Sequence, residues 1–373
     1  MIMIIKDELY GTVDCSDLEE KIMDSEEFQR LHRIKQMAFT YLVYPNAMHT
    51  RFEHSLGTMH LASIIAGRLG FDGEQLAKIR LFALLHDVGH VSFSHESEYF
   101  LKNYIGDHEE IGRKKILNGE LSDIIKENFS PKEIIGVEDK VEGKIVTSDL
   151  GADRMDYLVR DARNTGVAYG IVDVDRIVHT ISLEKDALVI AESSITAAES
   201  LLIARFMMFS TVYLHKTVRI AAAMLRRAIA LSIETKTLQA EDFLDAGDEE
   251  ILLRMKAGGN KYADALMRRN LYKEVCSLEP NDKIAKNIKK LESELSEKLN
   301  CDILIDYPSN FFKPVDFKIK TKNGIKPIVE LSELVKSLET SEKKRKRVLI
   351  ICPEENRIKT EKNLKEIIAE LVH

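Results

Sequence analysis

Two histidines and two aspartates, far apart in the chain, carry side chains suited to metal-assisted hydrolysis. The densest group is Leu84-Leu85-His86-Asp87-Val88-Gly89-His90, where an apolar helical stripe runs into ionisable residues. Leu76, Ile79, Phe82 and Ala83 recur upstream at helical spacing, and His86 falls on the same stripe, so its imidazole is expected to point inward. A buried imidazole or carboxylate needs a salt bridge, a full set of hydrogen bonds or a metal ion, because its desolvation is otherwise uncompensated. His54 lies on the face that carries Leu61, Ile65 and Leu69, and a later helix offers Asp153 or Asp149. Taken singly, a satisfied core histidine or a capping aspartate accounts for each of them. Together, imidazoles and carboxylates from separate helices suit a hard or borderline divalent cation. Such a cation binds a phosphoryl oxygen and brings the pKa of a coordinated water from 15.7 toward about 7. A zincin reading of His86-x3-His90 fails, since that chemistry needs glutamate after the first histidine in mid-helix; Asp87 stands there and Gly89 interrupts.

The elements that position these residues read as mainly helical. After a strand-like opening over 1–13, one helix is expected over 16–36, with Ser16 as cap and Glu19 in capping-box position. Its polar end (Gln29, Arg30, His32, Arg33, Lys35, Gln36) suits either a solvated helix end or a site. An extended piece over 41–44 and a Pro45-Asn46 turn precede the helix that opens near His49. The next helix, 73–87, ends at the His-Asp doublet with Gly89 as terminator, and the short link at 70–73 makes the two antiparallel. A single helix over 141–163 would carry Asp149, Asp153, Asp156, Tyr157 and Arg160 on one side. A small strand at 187–191 follows, then a long helix over 197–233 with Arg205, Phe209, Tyr213 and Lys216 on one stripe.

Beyond Pro280 the pattern changes to a charged helix over 283–299, short strands over 301–307, 315–320, 327–331 and 347–352, and a closing helix from Glu355. The fold class is therefore mainly α, a helical core over 1–280 with a small α+β module over 281–373. The basic run 343–347 reads as a solvated turn beside a strand rather than a nucleic-acid patch.

Lys plus Arg number 54 against 61 Asp plus Glu, a net charge of −7, with no basic half to serve as a duplex footprint. The four cysteines, Cys15, Cys276, Cys301 and Cys352, show no CxxC pairing and read as free thiols. A run of about 18 apolar residues and a secretory leader are not evident, so no membrane association and a cytoplasmic location are expected.

His54, then His86-Asp87, then a distant Asp153 resembles the H…HD…D signature of the HD-domain metal-dependent phosphohydrolases. The stretches 28–36, 49–57, 86–95 and 153–161 resemble, more closely, the deoxynucleoside triphosphate triphosphohydrolases, the branch that includes the sterile-alpha-motif HD restriction factor. The resemblance covers about 18–223. It implies an HD-domain helical core with His54, His86, Asp87 and Asp153 as metal ligands. It implies His95 as general acid toward the leaving oxygen, with Glu98 or Glu109 orienting it and His108 beside them. Arg51, His90, Arg154, Tyr157 and Arg205 would hold a triphosphate, Gln36 and Asp161 would read the sugar 3′-hydroxyl, and Tyr213 would pack on the nucleoside.

Forked arginine donors suit phosphate, although ordinary ion pairs would also explain Arg51 and Arg205, and a core position would explain Tyr213. Departures from the restriction-factor branch are Glu98 in place of aspartate, His32 in place of a regulatory arginine, and no sterile-alpha-motif domain; they argue against activation by dGTP. The expected reaction is dNTP plus water giving deoxynucleoside and triphosphate. An HD-type phosphodiesterase or phosphatase on other nucleotides, or a non-catalytic nucleotide- or nucleic-acid-binding protein, are the alternatives. The cofactor is a divalent metal, with Mn, Fe, Ni, Co, Zn and Mg all compatible with the ligand set. Relatives of this kind imply a homo-oligomer, a dimer or higher.

Overall fold

A computed structural model describes residues 3–184, 186–308 and 318–372. The chain opens with an antiparallel hairpin, β1 (Met3–Asp7) and β2 (Gly11–Cys15). The expected capping box forms: Ser16 and Glu19 satisfy each other's backbone at the start of α1 (Asp17–Asp24). The single helix expected over 16–36 does not. Ser25 is extended, ends α1, and caps α2 (Glu26–Gln29) through its hydroxyl; a 3₁₀ turn, Arg30–Arg33, follows. Serine competes for backbone hydrogen bonds, so it breaks a helix and starts another more readily than it continues one. The break turns Arg30 inward, where it is buried and donates to the carbonyls of Val88 (2.9 Å) and His90 (2.8 Å), directly beneath the doublet. Tyr41 and Leu42, expected to open an extended piece over 41–44, instead end a 3₁₀ turn, Ala38–Leu42.

Helices α3 (Arg51–Arg68) and α4 (Gly73–Leu85) pack together as a hairpin, turning at Gly70, whose φ of +88° glycine adopts without strain. Four short helices come next, α5 (His95–Ile105), α6 (His108–Leu117), α7 (Gly119–Ile125) and α8 (Pro131–Ile135). The helix expected over 141–163 is two, α9 (Val141–Thr147) and α10 (Ala152–Thr165). Between them the Gly151 amide donates to the Ser148 carbonyl, and a Cβ at Gly151 would lie 2.2 Å from the Val146 oxygen, so only glycine fits the turn. Helix α10 packs across α3, forming the three-helix unit on which the site is built.

After α11 (Val174–Thr180), β3 (Ile181–Glu184) and β4 (Ala187–Ala191), the long helix expected over 197–233 is likewise divided. It comprises α12 (Ile195–Met208), a π turn over Phe209–Tyr213, and α13 (Lys216–Glu234), capped by the His215 side chain. The π turn breaks the predicted stripe, so Lys216 begins a new helix instead of continuing the face of Arg205. Glu192–Tyr213 is long and apolar enough to cross a membrane by composition (22 residues, mean hydropathy 1.4), against expectation. Half of it is buried inside the protein, and it carries the buried Arg205.

Helices α14 (Asp242–Asp245), α15 (Asp248–Ala257) and α16 (Lys261–Met267) lead to β5 (Lys273–Leu278), α17 (Asp282–Leu299) and β6 (Leu304–Asp306). Then come β7 (Lys318–Thr321), β8 (Gly324–Pro327), α18 (Ile328–Leu331), α19 (Glu333–Arg345), β9 (Val348–Cys352) and α20 (Arg357–Val372). Residues 327–331 are thus mostly helix, not strand, and the basic run 343–347 completes α19 before leading into β9. Of the strand expected over 315–320, 315–317 lie outside the described residues.

Strand pairing crosses the expected boundary after residue 280. Strand β5 lies in the sheet β5-β9-β6, and β7 pairs in parallel with β4 in the sheet β3-β4-β7-β8. The later strands therefore complete sheets begun by the earlier segment. The four cysteines are free thiols.

Candidate metal centre and its cleft

The doublet follows the last turn of α4, with His86 as C-cap. The His86 Nδ1–H donates to the Ala83 carbonyl at 2.7 Å, which turns Nε2 inward; that nitrogen is buried and has no hydrogen-bond partner. His54, one turn into α3, donates from Nδ1 to Asp156 Oδ2 at 2.8 Å, and its Nε2 lies 3.1 Å from Asp153 Oδ1 on α10. His86 Nε2 lies 3.8 Å from the same oxygen. Asp87 closes the set, with one oxygen 3.4 Å from His86 Nε2 and the other 3.6 Å from His54 Nε2. Two imidazoles have thus committed their protons outward and face two carboxylates with their remaining nitrogens. An orphaned buried nitrogen and converging carboxylates are what a divalent cation satisfies. The residues fit such an ion. Asp149, the alternative to Asp153, falls in the turn before α10 and pairs with Arg154.

The electrostatics point the same way. Burial alone would push His54 down, but hydrogen bonds to Asp153 and Asp156 and the charges of Asp156 and Asp87 push it up to about 10. Burial would raise Asp87, yet Arg51, His86 and His90 hold it well below the usual carboxylate range; Asp153 is likewise held down against burial by the two histidines. The two carboxylates and the two inward imidazole nitrogens gather charge that a divalent cation would offset.

Next to it sits a second cluster, His90, His95, Glu98 and His108. His90 Nε2 lies 3.3 Å from Asp87, and its ring stacks on His108 with centroids 4.2 Å apart. Glu98 receives His95 Nδ1 at 3.3 Å and His108 Nδ1 at 3.0 Å. Burial and Arg51 push His90 well below the usual imidazole range, so it is neutral at pH 7. Burial would lower His108, but hydrogen bonding to Glu98 raises it. The His95 side chain is 58% exposed, and its Nδ1 lies against Glu98. Glu109 is exposed at the start of α6 and, among the described residues, makes no hydrogen bond to this cluster.

On the α10 side, the Tyr157 ring approaches His54 edge-on, with centroids 6.4 Å apart. Arg154 has a lowered pKa, first from burial and also from the proximity of Arg205, so two guanidinium groups share one environment. Arg51 is engaged in an ion pair, 2.6 Å from Asp87, with its Nε donating to Ser94 at 2.9 Å. Both Asp161 oxygens are occupied, one by His49 Nε2 (2.8 Å) and one by the Tyr213 hydroxyl (2.6 Å). Tyr213 therefore enters through its hydroxyl, while its ring packs edge-on against Phe209. Gln36 keeps a buried side-chain oxygen without a partner. His32 stacks on Phe52 with centroids 3.7 Å apart.

Sequence reasoning assigned no role to Arg30, His49 or Ser94, and saw Asp156 only as one of a row of carboxylates. The three-residue spacing from Asp153 to Asp156 was the available signal, since it puts both on one face of α10 toward α3. For Arg30 and Ser94 there was none, because their partners are backbone and side-chain atoms about 40 or more positions away.

Residues 51–161 match the HD domain model, and residues 172–369 match the HD associated region. The chain is similar to an uncharacterized protein of Methanocaldococcus jannaschii, 41% identical over 99% of this chain and 83% of that one. It is similar to the deoxynucleoside triphosphate triphosphohydrolase SAMHD1 homolog of Dictyostelium discoideum, 28% identical over 77% of this chain and 58% of that one. A phosphohydrolase crystal structure from Bacteroides thetaiotaomicron superposes with a TM-score of 0.74 at 26% identity, covering 95% of this chain and all of that one.

Proposed function

The chain belongs to the HD-domain phosphohydrolase superfamily, and from that membership we propose that it converts a deoxynucleoside triphosphate and water into deoxynucleoside and triphosphate. The observation that carries this reading is the adjacency of the candidate metal centre to His95: Asp87 lies 3.3 Å from His90, which meets the His95 ring edge-on and stacks on His108. When bound, the divalent metal supplies Lewis acidity to a phosphoryl oxygen and acidifies water. His54, His86, Asp87 and Asp153 would hold it. Arg154, Arg205 and Tyr157 would offset charge on a polyphosphate chain, a reading supported by the shared surroundings of the three side chains, and preorganised donors act strongly where water is excluded. Water adds to the α-phosphorus and gives up a proton to solvent, the bond from phosphorus to the 5′-oxygen breaks, and His95 delivers its proton to that oxygen and regains one from solvent. Glu98 holds His95 by Nδ1, leaving Nε2 for the transfer.

One observation favours a broader phosphoesterase. Asp161, matched to sugar recognition, has both oxygens engaged by His49 and Tyr213, leaving Gln36 as the side chain with an open acceptor. The metal-loaded protein should be incubated with each dNTP and the products separated. Tripolyphosphate and deoxynucleoside in equal amounts are expected; release of single phosphate alone would reject the triphosphohydrolase assignment and leave the phosphohydrolase class standing. Loss of turnover in His86→Ala is expected as well, and a variant with undiminished biological activity would instead favour a binding role.

A further inference from the structure

Asp248 begins α15, in the HD associated region, yet its carboxylate reaches the backbone just before Gln36 and the segment that leads into His95. Only 2% of the residue is exposed. One oxygen accepts the Phe93 amide at 2.7 Å and the other accepts the Lys35 amide at 2.9 Å. The Lys35 ammonium goes to Glu249, not to Asp248. The carboxylate is thus a double acceptor of backbone donors, and burial pushes its pKa up to about 6.

The position of those two amides gives the bonds a purpose. Phe93 and Ser94 have φ of +63° and +50°, consecutive positive-φ residues with side chains, placed directly before His95, and Ser94 has a ψ of −129°. Such backbone persists only when its surroundings over-determine it. Asp248 holds the Phe93 amide, and the Ser92 hydroxyl donates to the Ala246 carbonyl at 2.6 Å, so residues 246 and 248 hold the two residues that lead into Ser94. Ser94 in turn receives Arg51. Lys35, the other anchored amide, precedes Gln36. Asparagine at 248 would keep one acceptor and present an amide donor to a backbone donor, so the position calls for a carboxylate in spite of its burial.

We propose that Asp248 is a positioning residue for the hydrolytic reaction, holding the positive-φ turn at Phe93 and Ser94 so that His95 faces the leaving oxygen. The proposal rests on His95 being the general acid. It links the HD associated region to proton delivery without contact with substrate or metal.

The test compares Asp248→Asn, His95→Ala and the wild type on dTTP and on its 5′-thio analogue, in which sulfur replaces the bridging 5′-oxygen so that the same leaving group departs as a thiolate without a proton. Bound metal and the thermal midpoint are measured for each. In Asp248→Asn, metal content is expected to stay at the wild-type level and kcat on dTTP to fall roughly a hundredfold. KM should change little, and turnover of the 5′-thio analogue should fall less than about threefold, the same selectivity as in His95→Ala. Equal losses on both substrates, or no loss on dTTP, would overturn the proposal. Amide hydrogen exchange gives a readout independent of the substrate. Lys35 and Phe93 should exchange at least tenfold faster in the variant, with α10 unchanged, and unaltered protection at Phe93 would overturn the proposal even if the wild type cleaves no dNTP. Ser92→Ala, which removes only the second grip, should show the same selective loss to a smaller degree if Asp248→Asn does not fold; equal losses on both substrates there would also overturn the proposal.

Discussion

His54 and His86 can offer Nε2 to a metal only because something else holds Nδ1. His86 uses a carbonyl of its own helix, a local bond that follows from its place at the helix end. His54 uses Asp156, which is itself gripped by Arg160, and Arg160 is ion-paired to Asp7 at the end of β1. The outer carboxylate fixes the tautomer and raises the basicity of the ligand nitrogen. Asp156→Asn should therefore weaken metal affinity roughly 10- to 100-fold, read by titration of the apo protein at constant pH. An affinity equal to the wild type would show that His54 needs no such support.

At the scale of elements, the site depends on close approach and on helix breaks. Gly89 does not end α4 through a left-handed conformation, as its place in the sequence suggests; it is needed because α6 lies against it. A Cβ there would sit 2.0 Å from the His108 carbonyl oxygen and 2.3 Å from the Gly112 nitrogen, both backbone atoms with little freedom to yield. Gly89→Ala should push α6 outward and carry His108 off Glu98. Displacements of this size cost roughly a hundredfold in turnover. Metal stoichiometry should be kept, so activity and metal content measured on the same sample decide the matter; full activity would mean α6 moves without disturbing the cluster. Breaks at Ser25, at 148–151 and at 214–215 each end a helix that periodicity alone would extend. Hydrophobic spacing continues through a break whenever both halves face the same core, so it cannot mark the break.

Across the whole molecule, the later strands complete sheets begun earlier: β7 adds to β4, and β9 joins β5 to β6. One core cluster combines Phe39, Val91 and Phe93, near the cleft, with α13, α15, α16 and Leu349 and Ile351 of β9. Pieces so interleaved bury each other's edges and apolar faces. Thermal unfolding followed by circular dichroism and by calorimetry should give one coincident transition. Two transitions well separated in temperature would mean that the C-terminal strands fold on their own.

By itself the sequence determined the metal-binding residue types, the helical frame that carries them, the approximate ends of α3 and α4, and the fold class, because periodicity and caps are local signals. It also determined the resemblance through motifs that span at most nine or ten residues. Only the tertiary structure decided which carboxylate supports which histidine, that Glu98 and not Glu109 meets His95, and that Asp161 is held by His49 and Tyr213. Asp248 belongs to the same class: its two amide partners lie more than 150 positions earlier. A hydrogen bond across that separation leaves no period, cap or turn in the chain from which to read it.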